Sequence, residues 1–438
     1  MQSNFRNKRP LVDQVVVITG ASSGIGRQTA LVFAQHGATV VLAARSEQAL
    51  RELEGQIHRQ WGGRALVVVT DVADFNQVQR LADETIKHFG RVDTWVNDAA
   101  VSEYATFDQV TLEEFRRIID VNLMGIVHGV KAALPILTRQ QTKSTIINVG
   151  SALSDRAVPL QAAYVASKHA IKGFTETIRM ELEHARAPVD VTLILPSSIN
   201  TPIFDHARTK MGVKPAPIGP VYEPTVVADA IVYAATHDRV RELYAGGGGK
   251  VLSVMQKISP RLVDWYMESG GGRAFRAQRS TDPADPGQEA LFQPPTRNGR
   301  GSVRGRFGET ARQSSLYTSY IDPHPAVKGT LFTIAVAGVA AGIFALGRAS
   351  RAQRKVVIHR TVRPTLKAQI AEDPIFRDLY YPTINALREQ GYSLNTVPAF
   401  DRLKSRFARA VARSVGECIP QPASQPPVNR RPWATTRS

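Results

Sequence analysis

Between residues 14 and 250 the chain alternates short runs of β-branched and aliphatic residues with longer stretches in which apolar positions recur every three or four residues. Continuous apolar runs suit strands buried on both faces, and the longer period suits helices lying on them. The alternation predicts a parallel sheet with helical crossovers. Seven strands are expected, over 15–19, 39–44, 65–70, 94–97, 145–149, 191–195 and a short last one near 243–244. Helices are expected over 24–35, 75–89, 111–134 and 162–184. The third opens with a capping box, in which Glu114 reaches back to the amide of the cap residue Thr111. The predicted fold class is therefore α/β, a doubly wound parallel sheet of Rossmann-like build, with its ligand crevice at the carboxyl ends of the strands.

Three stretches break this pattern. Residues 198–224 are rich in Pro and Gly, and so long a connection in a compact domain points to a lid over a site or to disorder. From 271 to 328 the composition turns to Gly, Pro, Ser and Arg, which predicts a flexible linker. Residues 329–347 then run for 19 positions without a charge. As a helix they would span about 28 Å, close to a bilayer core of about 30 Å. Gly338 and Gly342 add a spacing that lets helices approach closely in lipid. The alternative is a helix buried in protein. Further on, residues 400–416 place Phe400, Leu403, Phe407, Val411 and Val415 at helical spacing among arginines. Such a basic amphipathic helix suits anionic lipid or packing against the rest of the chain. From Pro420 the sequence is Pro-rich and expected to be disordered. The organisation expected is an α/β domain over 1–270, a linker over 271–328, an apolar helix over 329–347 as a possible membrane segment, and a basic tail over 348–438.

Charge sharpens this division. The 438 residues carry a net +17, but residues 1–270 hold 29 Lys and Arg against 27 Asp and Glu, whereas residues 271–438 hold 26 against 11. A near-neutral α/β domain argues against a nucleic-acid substrate, and the basic tail points to an acidic surface such as anionic lipid or RNA. Six Lys and Arg and no acid fall within 348–363, a bias that favours the cytoplasmic side of a membrane. The single cysteine, Cys418, excludes an intrachain disulfide and points to a reducing compartment. The basic N-terminus runs directly into the first strand pattern without the apolar core of a signal peptide. A cytoplasmic α/β domain, membrane-associated through its tail, is expected.

The candidate chemistry begins after the first strand, where Gly20, Ser22, Ser23, Gly24, Ile25 and Gly26 form a strand-turn-helix with three glycines. Glycine permits a tight turn and close approach of backbone to a pyrophosphate, and the helix N-terminus meets the anion. The second strand ends not in the carboxylate that would hold unmodified ribose hydroxyls but in Ala44 and Arg45. Arg45 can pair with a ribose 2′-phosphate, so NADP(H) is the cofactor expected. Asp71, after the third strand, can accept from the adenine amino group, although an Asp there is often only a helix cap. Tyr164 and Lys168, four apart at the start of a predicted helix, share one face. A nearby ammonium favours the phenolate, so that Tyr164 can exchange a proton with a substrate oxygen as hydride moves at carbon.

Ser151 lies thirteen residues before Tyr164, and Asn122 stands within Asp120-Val-Asn-Leu. Together with Thr19-Gly-Ala-Ser-Ser-Gly-Ile-Gly26, this set strongly resembles the short-chain dehydrogenase/reductase family, over about residues 10–250. The resemblance implies that Tyr164 is the acid and base. Lys168 would lower its pKa and hold the nicotinamide ribose, Ser151 would bind the substrate oxygen, and Asn122 would hold a water in a proton relay. It implies a cofactor site that also includes Val72, Asn97, Ala99, Pro196, Ile199 and Thr201, no metal, an alcohol or ketone as small-molecule substrate, and a homo-oligomer. Three positions depart from the family pattern. Asp98 stands where the family has Asn, and Ala100 and Ser197 stand where it has Gly. These changes predict looser cofactor placement with the four catalytic positions intact. Apolar residues of the 198–224 stretch, among them Ile203, Phe204 and Met211, favour a lipophilic substrate. The rival reading is a catalytically lapsed nucleotide-binding sensor recruited to a membrane.

Overall fold

Successive residues of a strand face opposite sides of a sheet, and the first strand, β1 (Val15–Thr19), shows the consequence. Val15 and Val17 enter one apolar cluster, and Val16 and Ile18 enter another on the opposite side. The same division recurs in β2 (Thr39–Ala44), where Val41 and Ala43 separate from Val40 and Leu42. A sheet buried on both faces needs helices on both, and the chain supplies them. In order they are α1 (Gly24–Gln35), α2 (Glu47–Trp61), β3 (Ala65–Val69), α3 (Phe75–Phe89), β4 (Thr94–Asn97), a short β5 (Glu103–Tyr104), α4 (Leu112–Ile119), α5 (Gly125–Arg139), β6 (Ser144–Val149), α6 (Ala162–His184) and β7 (Val189–Pro196). There follow β8 (Ser198–Ile199), α7 (Ile203–His206), β9 (Arg208–Thr209), β10 (Val213–Pro215), β11 (Val221–Tyr222), α8 (Pro224–Thr236), β12 (Glu242–Ala245), α9 (Gly247–Ile258), α10 (Pro260–Ala277) and β13 (Arg279–Pro283).

This computed structural model describes residues 5–286, 289–294 and 301–322. The chain divides into two units, Met1–Gly338 and Val339–Ser438, and every described residue lies in the first. The apolar run at 329–347, the basic helix near 400–416 and the Pro-rich end lie outside the described residues.

The main sheet has seven strands in the order β12-β7-β6-β4-β1-β2-β3, all parallel. The order reverses between β4 and β1, and the crevice at that switch point holds the site. The expected helix over 111–134 is α4 and α5 joined by a π-helical turn, Asp120–Met124, and its capping box at Thr111 is formed. Among the described residues, the continuous run Leu112–Arg139 is the one long and apolar enough to cross a membrane, and half of its most apolar window is buried. Ile126, Val130, Ala133 and Leu137 place it in the core.

The stretch 198–224 is an ordered flap. Its β8 pairs with β11, its β9 with β5, and its β10 with β13. The last pairing corrects the expectation of a flexible linker after residue 270. Helix α10 runs on to Ala277, β13 adds a strand to the flap, and residues 301–322 pack on the α/β body. Arg304 pairs with buried Glu223 at 2.5 Å. Along the outer side of β12, the Tyr244 amide donates to Asp322 Oδ2 (2.6 Å) and the Gly246 amide to Thr318 Oγ1 (2.8 Å). These anchors are polar side chains and backbone groups spaced without period, which is why the composition reads as linker.

Candidate active site

A cavity of about 710 Å³ opens at the carboxyl ends of the central strands. Gly20, Ser22, Ser23, Gly24, Ile25, Arg45, Asp71, Val72, Ala99, Ser151, Tyr164, Lys168, Pro196, Ile199 and Thr201 all line it. Gly26, Asn97 and Asn122 are not in its wall. Gly26 is required for packing, since a Cβ there would come within 2.5 Å of the Gly20 carbonyl oxygen. Asn97 braces the sheet, accepting from Trp95 Nε1 and donating to Asn148 Oδ1, each at 2.9 Å. Asn122 sits in the π-helical turn, accepts from the Val101 amide (2.8 Å), and donates to the Val101 carbonyl (3.0 Å) and Ser167 Oγ (3.1 Å). Its side chain therefore fixes the backbone behind the cavity.

The catalytic candidates meet because α6 starts beside the end of β6. Ser151 follows that strand with its side chain buried, and its Oγ accepts from the Leu153 amide at 3.0 Å. Tyr164 bonds Ser151. One turn on, Lys168 lies with Nζ 5.5 Å from the centre of the Tyr164 ring and donates to the Val149 carbonyl at 2.9 Å. Burial pushes the Tyr164 hydroxyl up to about 12, the bond with Ser151 acts against that rise, and the Asp98 charge adds to it. Burial lowers the Lys168 ammonium, and Asp98 opposes that fall. The Asp98 carboxyl is itself raised by burial, against the pull of Lys168 and of a bond from the Gly26 amide. Asp98 therefore does more than depart from the family's Asn, since its carboxyl is electrostatically tied to Lys168 and Tyr164.

Ala100 and Ser197 line the cavity as expected, but Ser197 is accommodated. Its side chain lies against Gly246, Gly248 and Gly249, where a Cβ on Gly246 would approach to 2.8 Å. At the other end, Arg45 donates to the Ala290 and Phe292 carbonyls. Burial, and then the Arg117 charge, hold its guanidinium below the ordinary value. Asp71 accepts from Arg117 on Oδ2 (2.7 Å) and from the Ala73 amide on Oδ1 (3.0 Å).

Sequence reasoning missed most of the apolar wall. Buried Tyr104 lines the cavity, and burial with Tyr164 nearby raises its hydroxyl. Leu252, Met255, Tyr266 and Met267 of α9 and α10 complete the wall with Val158 and Phe204. The helical spacing of Val251, Val254, Met255 and Ile258 was the available signal. An apolar wall beside a tyrosine hydroxyl and a glycine-lined cleft makes this the concave, mostly apolar kind of pocket that holds a small molecule.

A family model described as short chain dehydrogenase matches residues 14–212. An uncharacterized oxidoreductase of Bacillus subtilis (strain 168), YxnA, is 40% identical over 345 residues, 78% of this chain and 92% of the relative. A putative oxidoreductase, SadH, of Mycobacterium tuberculosis is 32% identical over 269 residues, 60% of this chain and 96% of the relative. Among solved structures, a short chain dehydrogenase/reductase from Burkholderia phymatum in complex with NAD shares 28% identity at a TM-score of 0.52, covering 60% of this chain and 97% of that one.

Proposed function

Since the chain belongs to the short-chain dehydrogenase/reductase family, we propose that it transfers a hydride between NADP(H) and a lipophilic alcohol or ketone, with Tyr164 as acid and base. It is an oxidoreductase of that family. The observation that supports the finer reading most is the convergence of Tyr164, Ser151 and Lys168 on a cavity that the glycine turn after β1 also lines.

The residues present fit a dinucleotide. Gly26 lets α1 close onto the Gly20 backbone, and Arg45 stands where a carboxylate would repel a 2′-phosphate. Asp71 and Val72 would flank the adenine, while Pro196, Ile199 and Thr201 would meet the nicotinamide half. When bound, the nicotinamide supplies or accepts the hydride. Ser151 holds the substrate oxygen, and Tyr164 gives or takes the proton there. The Lys168 ammonium makes the phenolate accessible by offsetting its charge in a site of low dielectric. Asn122 keeps the Val101 backbone in place beneath them. A cytoplasmic homo-oligomer, associated with membranes through the basic tail, completes the proposal.

A nucleotide-binding sensor is the second reading, favoured by Asp98 and Ala100. The test is a screen of the purified full chain against alcohols and ketones of increasing alkyl length with both nicotinamide cofactors, followed by nicotinamide absorbance. The expected result is turnover with NADP(H) at an efficiency that grows with apolar length. Tight NADPH binding by calorimetry without turnover of any compound would favour the sensor instead.

A further inference from the structure

Residues 289–294 bridge the two sides of the cavity near the ends of β2 and β3. On the sheet side, Arg45 donates from Nη1 to the Phe292 carbonyl (2.9 Å) and from Nη2 to the Ala290 carbonyl (2.5 Å). Arg117 donates from Nε to the Leu291 carbonyl (3.2 Å). On the flap side, the Ala290 amide donates to the His206 carbonyl (2.8 Å), and Glu289 pairs with Arg208 (3.2 Å). Leu291 is 2% exposed and belongs to the core cluster that includes Val72, Val78 and Trp95. Ala290 and Pro294 line the cavity beside Arg45.

Three consecutive carbonyls thus occupy donors of two neighbouring guanidiniums. Guanidinium donors turned onto a compact set of oxygens are the arrangement by which arginine recognises phosphate. A neutral carbonyl is a weaker partner than a phosphate oxygen, because the phosphate adds its own negative charge to the attraction and can accept from a guanidinium bidentately. We propose that residues 290–292 are an intramolecular ligand of Arg45 and Arg117, standing in for the ribose 2′-phosphate, so that this segment and NADP(H) compete for the same donors. The inference rests on the NADP(H) reading above and adds that Arg117 and the chain beyond residue 270 take part in cofactor selection. NAD(H), without the 2′-phosphate, gives the two arginines nothing to exchange for the carbonyls and leaves the segment seated.

The test uses the full chain and two small probes, adenosine 2′,5′-bisphosphate and adenosine 5′-monophosphate, which differ only in the 2′-phosphate. Hydrogen exchange is followed at residues 289–294, where the Ala290 amide is bonded in the closed arrangement. The bisphosphate should speed exchange there and the monophosphate should not. In a second arm Leu291→Ser, which weakens the seating of the segment, should bind the bisphosphate roughly tenfold more tightly by calorimetry, since a competitor that is less populated lowers the apparent dissociation constant in proportion. Its affinity for the monophosphate should stay unchanged. Slower exchange with the bisphosphate, or weaker binding by the variant, would make the segment a fixed wall of the site and overturn the competition. Equal affinity for both probes in both proteins would instead remove the NADP(H) reading itself.

Discussion

Lys168 is buried, Tyr164 and Asp98 are half-buried beside it, and the Asp98 charge acts on both of the others. Replacing Tyr164 by Phe removes only the hydroxyl proposed to exchange the proton. Turnover should fall by roughly three orders of magnitude, the range of a positioned acid or base, while NADPH affinity by calorimetry stays close to that of the parent. Asp98 offers a prediction with a sign. Its negative charge disfavours the Tyr164 phenolate and favours the Lys168 ammonium, so it raises both pKa values. In Asp98→Asn both limbs of the pH profile for alcohol oxidation should therefore move to lower pH, by roughly one unit for a neighbouring buried charge. An unmoved profile of kcat/KM would mean that Asp98 is uncharged or electrostatically remote. At Arg45, substitution by Asp should shift preference from NADP(H) toward NAD(H) by roughly tenfold or more, the worth of a charge-assisted pair, read as the ratio of kcat/KM values. The convergence of Tyr164, Lys168 and Ser151 on one cavity was legible in the sequence because the first two are four apart at a helix start and the third follows a strand end. The side-chain bonds of Asn97 and Asn122 were not, because their partners, Asn148, Val101 and Ser167, lie far along the chain.

At the scale of elements, the seven strands of the main sheet and the helices over 24–35, 75–89, 111–134 and 162–184 followed from periodicity, whereas α2, α8, α9 and α10 were not read from it. Nor was the flap, because its strands are two or three residues long and are held by ion pairs. Its β9 lies beside β5, where Arg208 and Lys210 meet Glu103 and Glu114. Burial and the Glu114 charge push Glu103 up to about 7. A carboxyl raised in the folded state contributes its stability fully below its unfolded value, and that contribution is lost as pH rises through about 7. The flap should accordingly loosen between about pH 5 and pH 8, seen as faster hydrogen exchange over residues 208–215. Lys210→Met, which leaves Glu103 and Glu114 facing each other with one cation fewer, should steepen that change and raise KM more than it lowers kcat. A variant with the exchange profile of the parent would show that the ion pairs do not hold the flap down.

For the whole molecule, the boundary near residue 270 suggested by charge and composition is not a boundary of packing. A chain cut there keeps every strand of the main sheet and every candidate catalytic residue, yet it loses β13 and Arg304. Glu223, buried and bonded to Asn200, would lose its pair with Arg304, which contributes about 1 kcal/mol at most because that guanidinium is largely exposed, so most of the loss falls on the β10–β13 pairing and the packing of residues 301–322. The shortened chain should melt well below one ending at residue 328, measured as Tm by circular dichroism at equal concentration. Equal melting temperatures would return residues 279–322 to the status of an appendage.

The outermost strand carries a further consequence. An uncovered strand flank is a template onto which other chains can add. On β12 that flank is stoppered from within, where Asp322 and Thr318 take the amides of Tyr244 and Gly246. Copies of this protein therefore cannot stitch their sheets together across β12, and a chain ending before residue 315 would bare a sticky seam along it. Proteolysis between the α/β body and residue 315 would then do more than shorten the protein, since it would turn a self-limiting molecule into one able to polymerise through its own sheet.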